Sequence, residues 1–135
     1  MNDNDRWREA AAPSLDDLAA LAEAAFAELP ARFRRLAGEV VFRVDDFPSD
    51  EVLADLGLES PFDLSGLYHG VDLARRSVLD SAPPARIFLY RRPILDEWAE
   101  RGDVTLGELV THVLVHEIGH HLGLSDDDID RIEAE

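Results

Sequence analysis

Apolar positions recur at helical spacing in two long stretches of the chain. The first stretch follows Ser14, an N-cap residue, and is interrupted by Pro30. The second follows Thr105 and runs without a helix breaker to Leu122, and Gly123 stands where a left-handed C-cap belongs. The pattern predicts two long helices, and the second is the better defined of the two.

Shorter segments complete the predicted fold. They indicate a turn at residues 33–38, strands at 39–45 and 86–91, a hairpin around 66–71, and helices at 49–58, 93–101 and 126–133. These elements make an α+β chain in which several helices pack a small mixed sheet of two to four strands. A length of 135 residues is typical of one domain, so we expect a flexible leader at residues 1–13 and a single domain at residues 14–135.

The composition narrows the choice of partners and compartment. The chain has 13 basic residues against 29 acidic ones, and its formal net charge of -16 repels nucleic acid and anionic lipid. It has no cysteine, so a metal would need histidine and carboxylate ligands. We find no signal-peptide pattern and no apolar run near the roughly 18 residues that span a bilayer. We therefore expect a cytoplasmic monomer without nucleic-acid or membrane partners.

The second long helix carries the sequence His116-Glu117-Ile118-Gly119-His120, an HExxH motif. Four helical residues give about 400° of rotation and about 6 Å of rise, so the two imidazoles can converge on one ion. Glu117 lies about 100° round the helix, where it is better aimed at a water than at the metal. Bound Zn2+ lowers the pKa of such a water toward about 7. The motif therefore predicts His116 and His120 as zinc ligands and Glu117 as a general base.

A catalytic zinc ion takes a third protein ligand, and the acids after Gly123 are the candidates. Gly123 can adopt positive φ and turn the chain back toward the metal, and Asp126 follows three residues later. We predict Asp126 as the third ligand and keep Glu133 as the weaker alternative. Acids at the start of a helix also offset its macrodipole, and this competing role suits Asp126, Asp127 and Asp128 equally.

The stretch from His116 to Asp126 reads HExxHxxGxxD and resembles the metzincin signature, with aspartate in place of the usual third histidine. With Gly66-Leu-Tyr-His-Gly-Val71 and Ile87-Phe-Leu-Tyr-Arg-Arg-Pro-Ile94, it is more specifically similar to the minimal zincin-like metallopeptidases of bacteria. The likeness covers about residues 15 to 130. It implies a minimal zincin-like fold with the active-site helix near the C-terminus, zinc at the matching residues, and peptidase activity. Unlike metzincins, the chain has no methionine after the motif, since Met1 is its only one.

Three further histidines and two tyrosines are weighed as site residues. His112, His116 and His120 span about 12 Å along the helix axis, which is too far for all three to bind one ion. We therefore expect His112 to be packed, or to support a ligand, and not to bind the metal. His121 follows the motif's glutamate by four residues and could orient it, but we expect an exposed side chain. We do not expect His69 to polarise a substrate carbonyl. Tyr68 and Tyr90 could donate to a developing oxyanion, or could be half-buried sheet residues with solvated hydroxyls.

The leading hypothesis is a zinc metallopeptidase that hydrolyses peptides or unfolded protein segments. The strand at residues 86–91 is a candidate edge for pairing with an extended substrate. The runner-up is a metal-dependent endoribonuclease, since some RNA-processing hydrolases also bind metal through spaced histidines. The glutamate at the base position and the net charge of -16 oppose it. The third hypothesis is a non-catalytic module that binds zinc for structure or interaction.

Overall fold

A computed structural model describes residues 8–69 and 85–134, except for the side chains of residue 126 and residues 132–134. The described chain forms six α-helices and three β-strands in this order: α1 (Leu15–Glu28), α2 (Ala31–Ala37), β1 (Val40–Asp45), α3 (Asp50–Leu56), β2 (Gly66–His69), β3 (Ala85–Tyr90), α4 (Arg91–Arg101), α5 (Leu106–His121) and α6 (Asp126–Ala134). The predicted α+β class with a small mixed sheet is confirmed. None of the helices in these ranges is both long and apolar enough to cross a membrane.

Polar caps and glycine fix where the first helices begin and end. The Ser14 hydroxyl accepts the N–H of Asp17 at 3.1 Å, and the Asp17 carboxylate accepts the N–H of Ser14 at 2.8 Å. Ser14, the N-cap residue indicated by the sequence, therefore forms a full capping box with Asp17 at the start of α1. After Pro30 the chain forms a short helix, α2, where the pattern indicates only a turn, because its apolar side is buried. Gly38 ends α2 with a φ of 71°.

The three strands form a sheet in the order β1-β3-β2. β1 and β3 are parallel, with Val40 opposite Ala85, whereas β2 and β3 are antiparallel, with Gly66 opposite Leu89. Within the described chain β3 is therefore the central strand, paired on both sides. Our expectation that residues 86–91 offer a free edge to a substrate is wrong. Among these three strands, β1 and β2 are the outer ones.

The structure describes the segments on either side of β3 only in part. Of the predicted hairpin at residues 66–71, residues 66–69 form one strand, β2, which pairs with β3. Residues 70–84 lie outside the described part of the chain, as do residues 1–7 of the predicted leader. After β3, Arg91 begins α4 at once, two residues before the predicted start at Pro93. Proline is tolerated there because it lies in the first turn of the helix.

The core lies between one face of the sheet and the helices α1 and α5. Ala85, Ile87 and Leu89 of β3 alternate into it and are fully buried. The helices supply most of the other buried apolar side chains: Leu18, Ala22, Phe33, Leu109, Val110, Leu114, Val115 and Ile118. α5 is buried over much of its circumference, because α1, β2, α4 and α6 all pack on it. This packing holds the helix that carries the HExxH motif in a fixed place.

Candidate metal centre

α5 is capped at both ends by residues that the sequence analysis identified. The Thr105 hydroxyl accepts a backbone N–H in the first turn. At the other end Gly123 takes a φ of 78°. The N–H of Gly123 donates to the carbonyl of His120 at 3.0 Å, and the N–H of Leu124 donates to the carbonyl of Gly119 at 2.9 Å. These two bonds form a Schellman motif, which reverses the chain directly after the HExxH sequence.

His116 and His120 lie one turn apart on α5. Their ring centroids are 5.9 Å apart, and the ring planes are inclined by 59°. Two imidazoles that bind one zinc ion through nitrogens at about 2.0–2.1 Å in tetrahedral geometry have centroids about 5 Å apart. The difference of about 1 Å is within reach of small side-chain rotations. The spacing of the two rings therefore suits a shared metal ion. The Nε2 atom of His116 is buried, and the side chain of His120 is exposed to solvent.

A third histidine precedes the pair on α5. The ring of His112 lies 4.2 Å from the ring of His116, with the planes inclined by 48°. His112 also lines a cavity of about 690 Å³ between α1 and α5, together with Leu21, Glu28 and Thr111. It therefore packs against the first histidine of the motif from the side of α1. This position agrees with the packed role that the sequence predicts for it.

Glu117 is anchored to the outer strand β2. Its Oε2 atom accepts the backbone N–H of Tyr68 at 3.2 Å. The N–H of Tyr90 donates to the carbonyl of Ser65, so by strand alternation the N–H of Tyr68 points away from β3. Burial raises the pKa of Glu117 above its ordinary value, and the Tyr68 N–H and the charge of His120 partly offset this rise. The site thus holds a half-buried carboxylate beside the histidine pair.

Gly66 sets how closely β2 approaches α5. A Cβ atom at this position would lie 2.7 Å from Cγ1 of Val113, 3.3 Å from the carbonyl oxygen of Phe88 and 3.4 Å from Cγ of Glu117. Nonbonded carbon atoms keep about 3.5–4.0 Å, so a residue with a side chain would force the strand and the helix apart. The glycine therefore allows the contact between the outer strand and the glutamate of the motif.

The aromatic residues near Glu117 are more deeply packed than the sequence indicates. The rings of Tyr68 and His121 are stacked at 3.7 Å with planes inclined by 19°, and the Tyr68 hydroxyl is buried. The expectations of an exposed His121 and a solvated Tyr68 hydroxyl are therefore wrong, because the two rings cover each other. Tyr90 is only 3% exposed, and burial, Asp45 and Glu117 raise the pKa of its hydroxyl. A role in oxyanion binding stays a prediction for both tyrosines.

The cap of α6 uses one of the acids that follow the Schellman motif, Asp128. The N–H of Asp128 donates to the Ser125 hydroxyl at 3.2 Å, and the N–H of Ser125 donates to the Asp128 carboxylate at 3.4 Å. Hydrogen bonds from the side chain and the backbone N–H of Ser125 to the carboxylate lower the pKa of Asp128 below its ordinary value, so this acid serves the helix cap. Asp127 is exposed. The side chains of the predicted ligand Asp126 and its alternative Glu133 lie outside the described residues.

α5 thus carries two histidines with a glutamate between them, and it packs against a small mixed sheet. A family model described as zincin-like metallopeptidase matches residues 37–135, which is more than half of the chain. The chain belongs to the zincin-like metallopeptidase family. The comparison with curated proteins gives no significant match.

Membership of the zincin-like metallopeptidases confirms the resemblance and the minimal zincin-like fold predicted from the sequence. The family is one of peptidases, which favours the first of the three functional hypotheses over the ribonuclease. It also implies a divalent metal, and the spacing of the two imidazoles of the motif suits such an ion. Among the side chains that the structure describes, no three histidines or acids gather closely enough to hold a metal. Of the predicted site residues, the structure describes the side chains of His116, Glu117 and His120, which lie together on α5.

The sequence identified the histidine pair and the glutamate of this zincin-like metallopeptidase, but not the strand that holds the glutamate. The structure brings together the following predicted residues: His112, His116, Glu117, His120, His121 and Tyr68. His69 is exposed, on the face of β2 opposite Tyr68. The missed residue is Gly66, which the sequence placed in a predicted hairpin and in the family-like segment at residues 66–71, without its packing role. Its signal was a glycine within a strand, which often marks the close approach of another segment.

The raised pKa of Glu117 predicts a pH-dependent stability for this zincin-like metallopeptidase when its metal has been removed. The folded chain binds the proton of Glu117 more tightly than the unfolded chain, where the ordinary value is 4.5. Between that value and the raised one, the folded state holds more protons, so the free energy of unfolding falls as pH rises. The stabilising contribution of the Glu117 proton is fully present below the unfolded pKa of 4.5.

Urea unfolding of chelator-treated protein across this window measures the effect. The matched control is Glu117→Gln, which removes the titrating group while keeping its size. We expect the wild type to lose stability relative to this variant as pH rises. Groups such as Asp128 titrate in both proteins and cancel in the difference. An identical pH slope in the two proteins would contradict the raised pKa.

Proposed function

We propose that this zincin-like metallopeptidase is a zinc-dependent peptidase. In the proposal His116, His120 and Asp126 bind Zn2+, and Glu117 is the general base. The observation that supports it best is the spacing of the two imidazoles, 5.9 Å between ring centroids, next to a carboxylate that is held in place. This combination suits the hydrolysis of an amide bond better than a purely structural zinc site, which has no need of a positioned base.

Glu117 carries out the proton transfers in the proposed mechanism. When bound, zinc polarises a carbonyl group and acidifies a water molecule. Glu117 accepts the proton of the attacking water at its carboxylate and then donates it to the departing amine. The N–H of Tyr68 holds Oε2, which leaves the other oxygen of the carboxylate for the proton. In the metal-free chain, burial raises the pKa of Glu117 above its ordinary value.

Peptides or unfolded protein segments are the proposed substrates. An extended peptide can add to the edge of a sheet through backbone hydrogen bonds, which give affinity without sequence specificity. With β3 in the centre of the described sheet, β2 is the outer strand next to Glu117 and takes over the role first considered for residues 86–91. The monomeric state, the cytoplasmic location and the absence of nucleic-acid and membrane partners stay predictions from the sequence.

Metal removal tests the proposed function directly. We expect about one zinc ion per purified chain and hydrolysis of a quenched fluorescent peptide library. Treatment with a chelator should abolish the hydrolysis, and added zinc should restore it. Zinc binding without hydrolysis across broad libraries would favour the non-catalytic module. Cleavage of RNA by the zinc-loaded chain, with binding that tightens as salt falls, would favour the ribonuclease.

A further inference from the structure

α6 packs against α5 at the position of Gly119, where the missing side chain leaves space. Ile129 of α6 is fully buried against α5. A Cβ atom on Gly119 would lie 2.6 Å from Cγ1 and 2.7 Å from Cδ1 of Ile129. Nonbonded carbons keep about 3.5–4.0 Å, so with any other residue at position 119 the isoleucine would have to move by about 1 Å. The HExxH motif therefore contains a residue whose lack of a side chain admits the next helix.

The same glycine helps to define the path from the motif to α6. Its carbonyl accepts the N–H of Leu124 in the Schellman motif at 2.9 Å. The turn is short, and Ser125 then caps α6, with its carbonyl accepting the N–H of Ile129 at 3.0 Å. Residue 126, the first of α6, is therefore held between a hydrogen-bonded turn on one side and the buried isoleucine on the other. Its backbone position depends on the contact between Gly119 and Ile129.

We infer that Gly119 and Ile129 are positioning residues for the third metal ligand, because their contact fixes where residue 126 stands relative to the histidine pair. This inference rests on the proposed function, in which Asp126 binds zinc. Protein ligands hold zinc at distances defined within about 0.2 Å. Ile129 is fully buried, so we expect part of the required movement to be passed on to α6. A displacement of that helix by a few tenths of an ångström already exceeds the tolerance of a zinc ligand.

The test measures zinc affinity by competition with a chromogenic chelator, using the full chain and zinc alone as the probe. We expect Gly119→Ala to bind zinc about 10–100-fold more weakly than the wild type, the range typical for residues that orient metal ligands. In an Asp126→Ala background the same substitution should cause no further loss, because the ligand that it displaces is already absent. A residue with a merely structural role would not show this dependence.

Ile129→Ala is the second variant, since it removes the same contact without introducing a clash. It should also weaken zinc binding, and again only when Asp126 is present. Circular dichroism on the metal-free variants confirms that affinities are compared between folded chains. If the wild type binds zinc and both variants bind it equally well, the inference fails while the proposed function stands. A loss that persists in the Asp126→Ala background also overturns it. If the wild type itself binds no zinc, the proposed function fails and the inference with it.

Discussion

Replacing Glu117 by glutamine should lower kcat/KM for peptide hydrolysis by about 10²- to 10⁴-fold while about one zinc ion per chain remains bound. Glutamine keeps an oxygen that can accept the N–H of Tyr68, which Glu117 binds at 3.2 Å, but it cannot accept a proton from water. The substitution therefore removes the chemistry and preserves the contact with β2. Steady-state kinetics on a peptide substrate and metal analysis of the purified variant give the two readouts.

Three comparisons make the glutamate experiment decisive. Glu108→Gln is the matched control, the same chemical change on the same helix at an exposed capping position, and it should leave hydrolysis unchanged. Glu117→Ala removes the base and the acceptor for the strand together, so it should be at least as inactive as the glutamine variant. Burial penalises the charge of Glu117, so the metal-free glutamine variant should be at least as stable as the wild type at neutral pH. Wild-type activity in Glu117→Gln would exclude this residue as the base.

Replacing His120 by alanine should weaken zinc binding by more than about 100-fold, since in the proposed site it removes a direct ligand and not only an orienting group. The side chain of His120 is exposed, so its loss leaves the core intact. His116→Ala should weaken binding to a similar degree. Chelator competition and the metal content of dialysed protein measure both effects.

His112→Ala is the control that identifies the metal-binding pair. His112 and His116 are also one turn apart, and their rings are closer, at 4.2 Å, than the 5.9 Å of His116 and His120. An alternative site formed by the first two histidines would therefore have the same sequence spacing. We expect the His112 variant to retain zinc. Loss of zinc from His112→Ala together with retention in His120→Ala would move the site one turn toward the start of α5.

Contacts between residues close in the chain could be predicted from the sequence, whereas contacts between distant residues could not. The caps of α1 and α6 join residues three apart, Ser14 with Asp17 and Ser125 with Asp128. The N-cap role of Ser14 is therefore visible in the local sequence. The bond between Tyr68 and Glu117 joins residues 49 positions apart. Nothing in the local pattern of either segment indicates the other as its partner. The central position of β3 is unpredictable for the same reason, since it depends on which strands pair.

The sequence by itself determined the α+β class, the helix that carries His116 and His120, and the glutamate between them, because helical periodicity and capping act within one or two turns. Only the tertiary structure decided how that glutamate is held, which strand lies beside it, and why His121 is covered. It also showed that two glycines allow close packing. Gly66 lets β2 approach α5, and Gly119 lets α6 approach α5. The physical reason is that a glycine's missing side chain has a purpose only once the segment that fills its space is known.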